Sequence, residues 1–478
     1  MCWKRLLPGW CLLVTFLLGS NQIAAERPAA GGEAADEEPA TVHCQIEILR
    51  DAIVVELLIR EHGQEVLDLQ ISDWAGRNDY SQSISDLRAY DADGNELQVD
   101  FDGLRTWRVP TSQQPFTLTY RVHPTKNSFA GEDTWDFLYP TILESHGLAW
   151  GPTFLVLPGD ETFKDTRVSL SITAPEHYER VFSNIGQQQQ TNLGELRYLF
   201  LAWGDYHYRD FPLDGRTVRL IVEAGDWKTS PATLINLASR ILVSQANSMG
   251  IIPFNEDLLI SLTMGSSSVM GGTAVPGAVS LYFDPATELT DHGSLPAYLI
   301  AHEFFHLWNG IHLRLFGHMN WFKEGFTDYY AYLTLLREGI VSPDDYLRWF
   351  NRAVSAYRQN PFALNTPVED QGELFWSSDQ FRDLVYRKGA LIAFLMDRQI
   401  RTLTEHRSTL DDLMSVLMTD EKILEEGLTH ANLLVALEEL TGSAWDNFLE
   451  DYVNGTEPLP VEEFESAEDL LSHISTSI

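Results

Sequence analysis

Near Trp227 the sequence changes texture, and that change limits what the chain can fold into. Before it come short apolar runs at 46–49, 53–59, 116–122, 167–172, 196–203 and 218–222, separated by turn dipeptides such as Asp93-Gly94, Pro158-Gly159 and Asp214-Gly215. Strand formers between turn signals predict a β-rich N-terminal domain over 43–226, of β-sandwich type. After Trp227 the spacing turns helical, with a helix over 229–249, strands at 258–263 and 278–283, and helix after helix to about 453. The expected fold class is multidomain α+β: a β-sandwich-like domain, then a mainly helical domain over 227–460 with a small sheet. A chain of 478 residues is longer than one ordinary core, at roughly 150 residues per domain, which agrees with the division. Residues 461–478 are acidic and weakly patterned and read as a C-terminal tail.

The first 25 residues have the order of a secretory signal peptide: Lys4 and Arg5, an apolar run from Leu12 to Leu18, then Ile23-Ala24-Ala25 as a cleavage site. Export to a periplasmic or extracellular location is the expectation. The alternative is a retained anchor, for which the run is short and is preceded by Pro8 and Gly9. Residues 26–42, small, acidic and broken by Pro and Gly, read as a disordered linker. No later stretch has the roughly 18 apolar residues of a membrane span, so no transmembrane helix is expected in the mature chain. Cys44 alone lies beyond the signal and reads as an inert core residue, so packing, or packing plus a metal, must hold the fold. The formal charge of −36 repels phosphate backbones and argues against nucleic acid as a partner. The same charge either favours basic and neutral substrates or serves solubility. Oligomeric state is not legible.

The sharpest signal is His302-Glu303-Phe304-Phe305-His306. Pro296 suits a helix N-terminus and Gly310 its end, so 297–309 is expected as one helix. Residues four apart share a face, which aims both imidazoles at one point. Zinc takes His nitrogens at about 2.0–2.1 Å, and a catalytic site needs a third protein ligand and one open position. Glu324, eighteen positions after His306, supplies that ligand from a second helix, which Asn320 can cap and Gly339 can stop. Asp328, one turn further, is placed to accept the second ring N–H of a ligand histidine, His302 first. The expected cofactor is one Zn2+ ion on His302, His306 and Glu324, with His312 and His318 read as loop or surface residues. Such a site performs metal-assisted hydrolysis, with Glu303 carrying the proton and peptide bonds the leading substrate.

A tetrahedral intermediate also needs a donor for its oxyanion. Tyr386, in the Tyr386-Arg387-Lys388-Gly389 opening of a helical run to Arg401, can be that donor; among 17 tyrosines a packed aromatic is the commoner use. Gly271 and Gly272 suit close backbone approach by a substrate, and the strand 278–282 can pair with an extended peptide, an ordinary turn and strand being the plain alternative.

The blocks HEFFHLWN (302–309), WFKEGFTDYY (321–330), LVYRKGALIAFLMDRQIR (384–401) and YVNGTEPLP (452–460) resemble successive blocks of the glycyl aminopeptidase family of zinc metallopeptidases, relatives of the thermolysin-like gluzincins. WAGRNDYSQSISDLRAYDADG (74–94) and Trp107-Arg108-Val109 carry the resemblance into the first half, so that it spans about 43–460. It implies a β-rich N-terminal domain and a thermolysin-like catalytic domain. It implies zinc on His302, His306 and Glu324, Glu303 as general base, Tyr386 as oxyanion stabiliser, and a peptide or protein substrate. Three departures stand out. The stretch between the histidines and Glu324 is short. The PDZ domain that many members carry after the YVNGTEPLP block is expected to be lacking. Residues 270–282, where relatives carry an acidic residue for the substrate's amine, hold no carboxylate, so exopeptidase and endopeptidase action both stay open.

An exported zinc peptidase is therefore the leading expectation. The missing carboxylate motivates a second reading, a catalytically weak or inactive zinc-containing peptide-binding protein of the cell envelope. Glu303, which a purely structural metal site does not need, speaks against it. Hydrolysis of a non-peptide bond is the third.

Overall fold

The computed structural model describes residues 41–474 apart from 61, 75–76, 113, 125–137, 179, 187, 255–256, 266–269, 287, 289–294 and 370–373. The expected signal peptide and nearly all of the expected linker lie outside the described residues. The first strand begins at Val42, the last residue assigned to that linker.

The first half grows from an antiparallel hairpin of Val42–Ile48 and Ile53–Ile59, in which Val42 faces Ile59 and Ile48 faces Ile53. Val42, Cys44, Ile46 and Ile48 point inward and are buried while the residues between them are not, the period-two pattern of a sheet with one covered face. The hairpin sits within a seven-stranded sheet, with Arg167–Thr173 and Gln188–Asn192 beyond one strand and Phe116–Val122, Ile84–Asp91 and Glu96–Leu97 beyond the other. Two four-stranded sheets turn residues such as Leu69, Val109, Leu148 and Trp203 onto the same core. Cys44 lies in that core without a disulfide, and burial pushes its thiol up to about 12. The stretch 196–203, expected as one strand, is split. Asn192 accepts from the Glu195 N–H at 2.8 Å and caps a short helix, Leu193–Leu196, leaving Phe200–Gly204 as the strand.

A five-stranded sheet carries the second half, in the order Tyr206–Leu213, Arg216–Glu223, Leu258–Met264, Ala278–Phe283, Gly271–Val275. Its first two strands precede residue 226, where the sequence reading set the boundary between domains. Parallel pairing from Val218 with Leu258 to Val222 with Leu262 draws that hairpin into the second sheet. Strands buried on both faces read as continuous apolar runs, and here Val218, Leu220 and Leu281 face the helices while Ile221, Leu259 and Tyr282 face the first-half core.

Among the helices of the second half are α1 (Pro231–Met249), α2 (Leu295–Phe305), α3 (Asn320–Arg337), α4 (Pro343–Gln359) and α5 (Asp379–Leu403). Three differ in their ends from the sequence reading. α2 stops at Phe305, not Asn309; beyond it the Leu307 and Trp308 amides reach back three residues and those of Ile311, His312 and Leu313 reach back five. His306 is thus the first residue past the helix. In α3 the cap position falls on Met319, and Asn320 is a buried first-turn residue rather than the cap, while Gly339, at φ 63°, lies just past the helix end. α5 begins at Asp379 behind a Ser378 cap, about two turns before Tyr386, so Tyr386 lies inside the helix and not at its start. Within the expected tail only Ala467–Leu471 is helical among the described residues. No helix of the described residues is long and apolar enough to cross a membrane.

Candidate active site

Helices α2 and α3 cross so that His302, His306 and Glu324 converge, all three buried. His302 Nε2 and His306 Nε2 are 2.9 Å apart, and Glu324 Oε2 stands 3.5 Å from the first and 3.6 Å from the second. The opposite ring nitrogens are engaged: His302 Nδ1 donates to Asp328 Oδ1 at 2.9 Å and His306 Nδ1 to the Asn309 carbonyl at 3.0 Å. Both Nε2 atoms are thereby turned toward the carboxylate. Burial alone would depress His302, yet Asp328 and Glu324 lift it to about 9, whereas burial holds His306 down to about 4. The Asp328 and Glu324 carboxylates thus favour positive charge at the His302 corner, while burial disfavours it at His306. A tetrahedral ion with bonds of about 2.0–2.1 Å sets its ligand atoms roughly 3.3–3.4 Å apart, so these three donors fit zinc. Glu324 Oε2, buried and without a hydrogen-bond partner among the described residues, is the kind of orphan such an ion satisfies.

Two glycines bring the third helix in. A Cβ on Gly325 would stand 2.3 Å from Gly389 Cα, and one on Gly389 would stand 2.2 Å from the Trp321 carbonyl oxygen, so α3 and α5 touch backbone to backbone. Tyr386, one turn before Gly389, then stacks on His302 at 5.9 Å between ring centroids and 18° between planes. Burial, then the charge and hydrogen bond of Glu324, raise its phenol well above the ordinary value, which keeps it a neutral donor. Asp328 is fully buried and accepts from His302, from the Tyr298 hydroxyl and, at 3.3 Å, from Arg387 Nη1. Asn309 fastens the turn after α2 to α3 by donating to the carbonyls of Phe322 and Lys323 at 3.2 and 3.0 Å.

Glu303 is not one of the three donors. Both its carboxyl oxygens are buried with no hydrogen-bond partner among the described residues. Burial pushes it up to about 8, against the pull of His302. Burial acts the same way on Glu324, but His306, His302 and Lys323 overcome it and hold that carboxyl well below the usual range. Two carboxyls driven apart in this way divide into an ionised ligand and a group able to hold a proton near neutrality.

Gly271 and Gly272 lie on the strand Gly271–Val275, which forms the edge of the five-stranded sheet. The strand 278–282, expected to meet a peptide, is interior: Pro276 and Gly277 turn the chain, and Gly271–Val275 covers its outer side. Nor does Gly272 only admit a substrate, since a Cβ there would stand 2.5 Å from Glu303 Cγ. His312 binds the Met418 carbonyl at 3.0 Å, and neither it nor His318 joins the metal-type group. Sequence reading missed Tyr298, Asn309, Lys323 and Arg387. Tyr298, four residues before His302, and Arg387, beside Tyr386, carried a positional hint; Lys323, with Nζ 3.9 Å from Glu324 Oε1, carried none beyond adjacency.

The comparisons with known proteins agree with this geometry. The family model for the M61 glycyl aminopeptidase matches residues 297–392, and that for the peptidase M61 N-terminal domain matches 42–211. Among solved structures the fold is similar to an aminopeptidase N family protein from Idiomarina loihiensis, at TM-score 0.75 and 20% identity over 90% of this chain and 78% of that one. It is also similar to the M1 zinc metallopeptidase of Deinococcus radiodurans, at TM-score 0.54 and 14% identity over 88% of this chain and 94% of that one. A mutant of the latter bound to a Tyr-Ser-Ala substrate gives TM-score 0.55 and 15% identity, over 88% and 95%. A search of curated proteins returns no sequence match. With both family models in place over more than half its length, the chain belongs to the M61 glycyl aminopeptidase family and is a zinc metallopeptidase.

Proposed function

We propose that the protein hydrolyses peptide bonds with one zinc ion on His302, His306 and Glu324, Glu303 as general base and Tyr386 as oxyanion stabiliser. One observation carries the reading: Glu303 is a fully buried carboxyl next to the donor His302 in the chain, with no hydrogen-bond partner among the described residues. A metal that only braces a fold needs no such neighbour. When bound, zinc supplies a Lewis acid that polarises the scissile carbonyl and acidifies water. Glu303 takes the proton of the attacking water and passes it to the leaving amine. The Tyr386 hydroxyl donates to the developing oxyanion. Asp328 holds the His302 ring in the tautomer that presents Nε2. An extended peptide lays its backbone along Gly271–Val275, the last strand of the five-stranded sheet. The peptide held by the D. radiodurans relative supports this substrate class. Residues 1–25 support a place outside the cytoplasm, periplasmic or extracellular.

The test is Glu303→Gln, assayed for zinc content and for turnover of free and N-blocked peptides. Zinc should stay stoichiometric and hydrolysis should fall on the order of 10²–10⁴-fold; unchanged turnover removes the mechanism. Equal cleavage of blocked and free peptides by the wild type assigns endopeptidase action, as the lack of a carboxylate in 270–282 favours. Zinc-dependent peptide binding without cleavage assigns the peptide-binding reading instead.

A further inference from the structure

Glu303 is fully buried, yet no hydrogen bond from the described residues fixes its carboxyl. Contact fixes it. A Cβ on Gly272 would stand 2.5 Å from Glu303 Cγ, 2.7 Å from its carboxyl carbon and 3.0 Å from Leu281 Cδ2. The side chain therefore lies in space that only a glycine leaves. Gly272 is not among the glycines with positive φ, so the residue is needed here for room and not for backbone conformation. Its strand, Gly271–Val275, is buried, pairs only with Ala278–Phe283 among the described strands, and so ends the sheet where a peptide backbone entering the site would add.

We propose that Gly272 is a positioning residue: the strand that receives an extended peptide is also the seat of Glu303, so filling the strand and placing the base are one event. The proposal rests on the peptidase reading of the site. Neighbouring α2 supplies Glu303 but leaves its carboxyl without a polar anchor, so a shift of the strand is passed directly to the base. Backbone contacts made along Gly271–Val275 are then expressed in turnover rather than in binding alone. Lengthening a peptide along the strand should raise kcat more than it lowers KM; a length series that moves only KM overturns the proposal.

Two measurements on the full chain separate this proposal from the reading beneath it. The first needs no turnover: melting temperatures of Gly272→Ala, Glu303→Ala and the double variant. If Glu303 fills the space, Gly272→Ala lowers Tm in the wild-type background and has a much smaller effect beside Glu303→Ala, where the methyl has room. Equal losses in both backgrounds overturn the seat. Should Gly272→Ala alone fail to fold, recovery of folding in the double variant supports it and failure there overturns it. The second is steady-state kinetics of zinc-loaded Gly272→Ala on an N-blocked peptide. A base displaced by about 1 Å should cost on the order of 100-fold in kcat at nearly constant KM, with zinc content unchanged. A raised KM at constant kcat would make Gly272 a binding residue only, overturning the proposal and leaving the peptidase reading intact. A wild-type protein that cleaves no peptide overturns that reading and the catalytic half of the proposal together.

Discussion

Gly325 and Gly389 meet at the crossing of α3 and α5, where a Cβ on Gly325 would lie 2.3 Å from Gly389 Cα. The contact sets the spacing of the site, because Glu324 precedes one glycine and Tyr386 lies a turn before the other. A methyl on Gly389 must push the helices apart, since the obstacle is the Trp321 carbonyl oxygen at 2.2 Å and backbone cannot swing aside. Gly389→Ala is expected to destabilise by about 1–3 kcal/mol or more, as overpacking of a tight core does. Zinc retention should fall with it. Urea unfolding and metal analysis check both, and a variant of wild-type stability would show that the helices have slack.

Tyr386→Phe removes one hydroxyl from a ring stacked on His302. The ring stays, so the fold and the zinc should stay. Turnover is expected to drop on the order of 10²–10³-fold with little change in KM, the size found when a single oxyanion donor is lost. Steady-state kinetics decide; a change confined to KM would make the phenol a substrate contact.

Asp328 fixes the His302 tautomer through its 2.9 Å contact with Nδ1. Asp328→Asn keeps the shape and removes the charge that His302, Tyr298 and Arg387 share. Zinc affinity is expected to fall about 10–100-fold, as for other partners of ligand histidines. Competition against a chelator of known strength measures it, and undiminished affinity would reduce Asp328 to a packing role.

The histidines, Glu303, Glu324 and Asp328 were legible because each set lies on one helix or, for His306, at the first residue past it, and helical spacing turns positions four apart into neighbours in space. Two strands of the first sheet were legible for a similarly local reason, Ile53–Ile59 and Phe116–Val122 falling where apolar runs between turn signals put them, whereas the first strand starts at Val42, ahead of the run at 46–49. Contacts between distant segments were not. Arg387 reaches Asp328 across 59 residues, and nothing in the spacing of either helix announces the pair. Strand texture also does not say which sheet a strand will join, which is why Arg216–Glu223 was assigned to the first half. Gly272 was read as room for an approaching substrate; the group that stands against it here, Glu303, belongs to another element. Helix ends failed where the signal was a single residue, as at Asn320, which lies inside α3 rather than capping it.

Glu223 gives the stability a pH dependence far from the metal. It is buried, accepts from the Met264 N–H at 2.9 Å and lies 3.2 Å from His146 Nε2. Burial pushes its carboxyl up to about 7, against the partial opposition of the Met264 bond, from an unfolded value near 4.5. The native state thus keeps a proton that the unfolded chain has released. That contribution is whole below about pH 4.5, shrinks as pH rises, and is gone above about pH 7. Relative to Glu223→Gln, the wild type should lose at most about 3 kcal/mol between pH 5 and pH 8. Unfolding curves taken across that range test it, and parallel trends in the two proteins would refute it.

The five-stranded sheet works as a party wall. Ile221, Leu259 and Tyr282 furnish one room and Val218, Leu220 and Leu281 the other. A fragment cut at the change of texture near Trp227 would lose two strands and expose a greasy rear surface to water, an invitation to aggregate. The hydrolytic half is therefore no portable cassette: it comes with its neighbour or not at all.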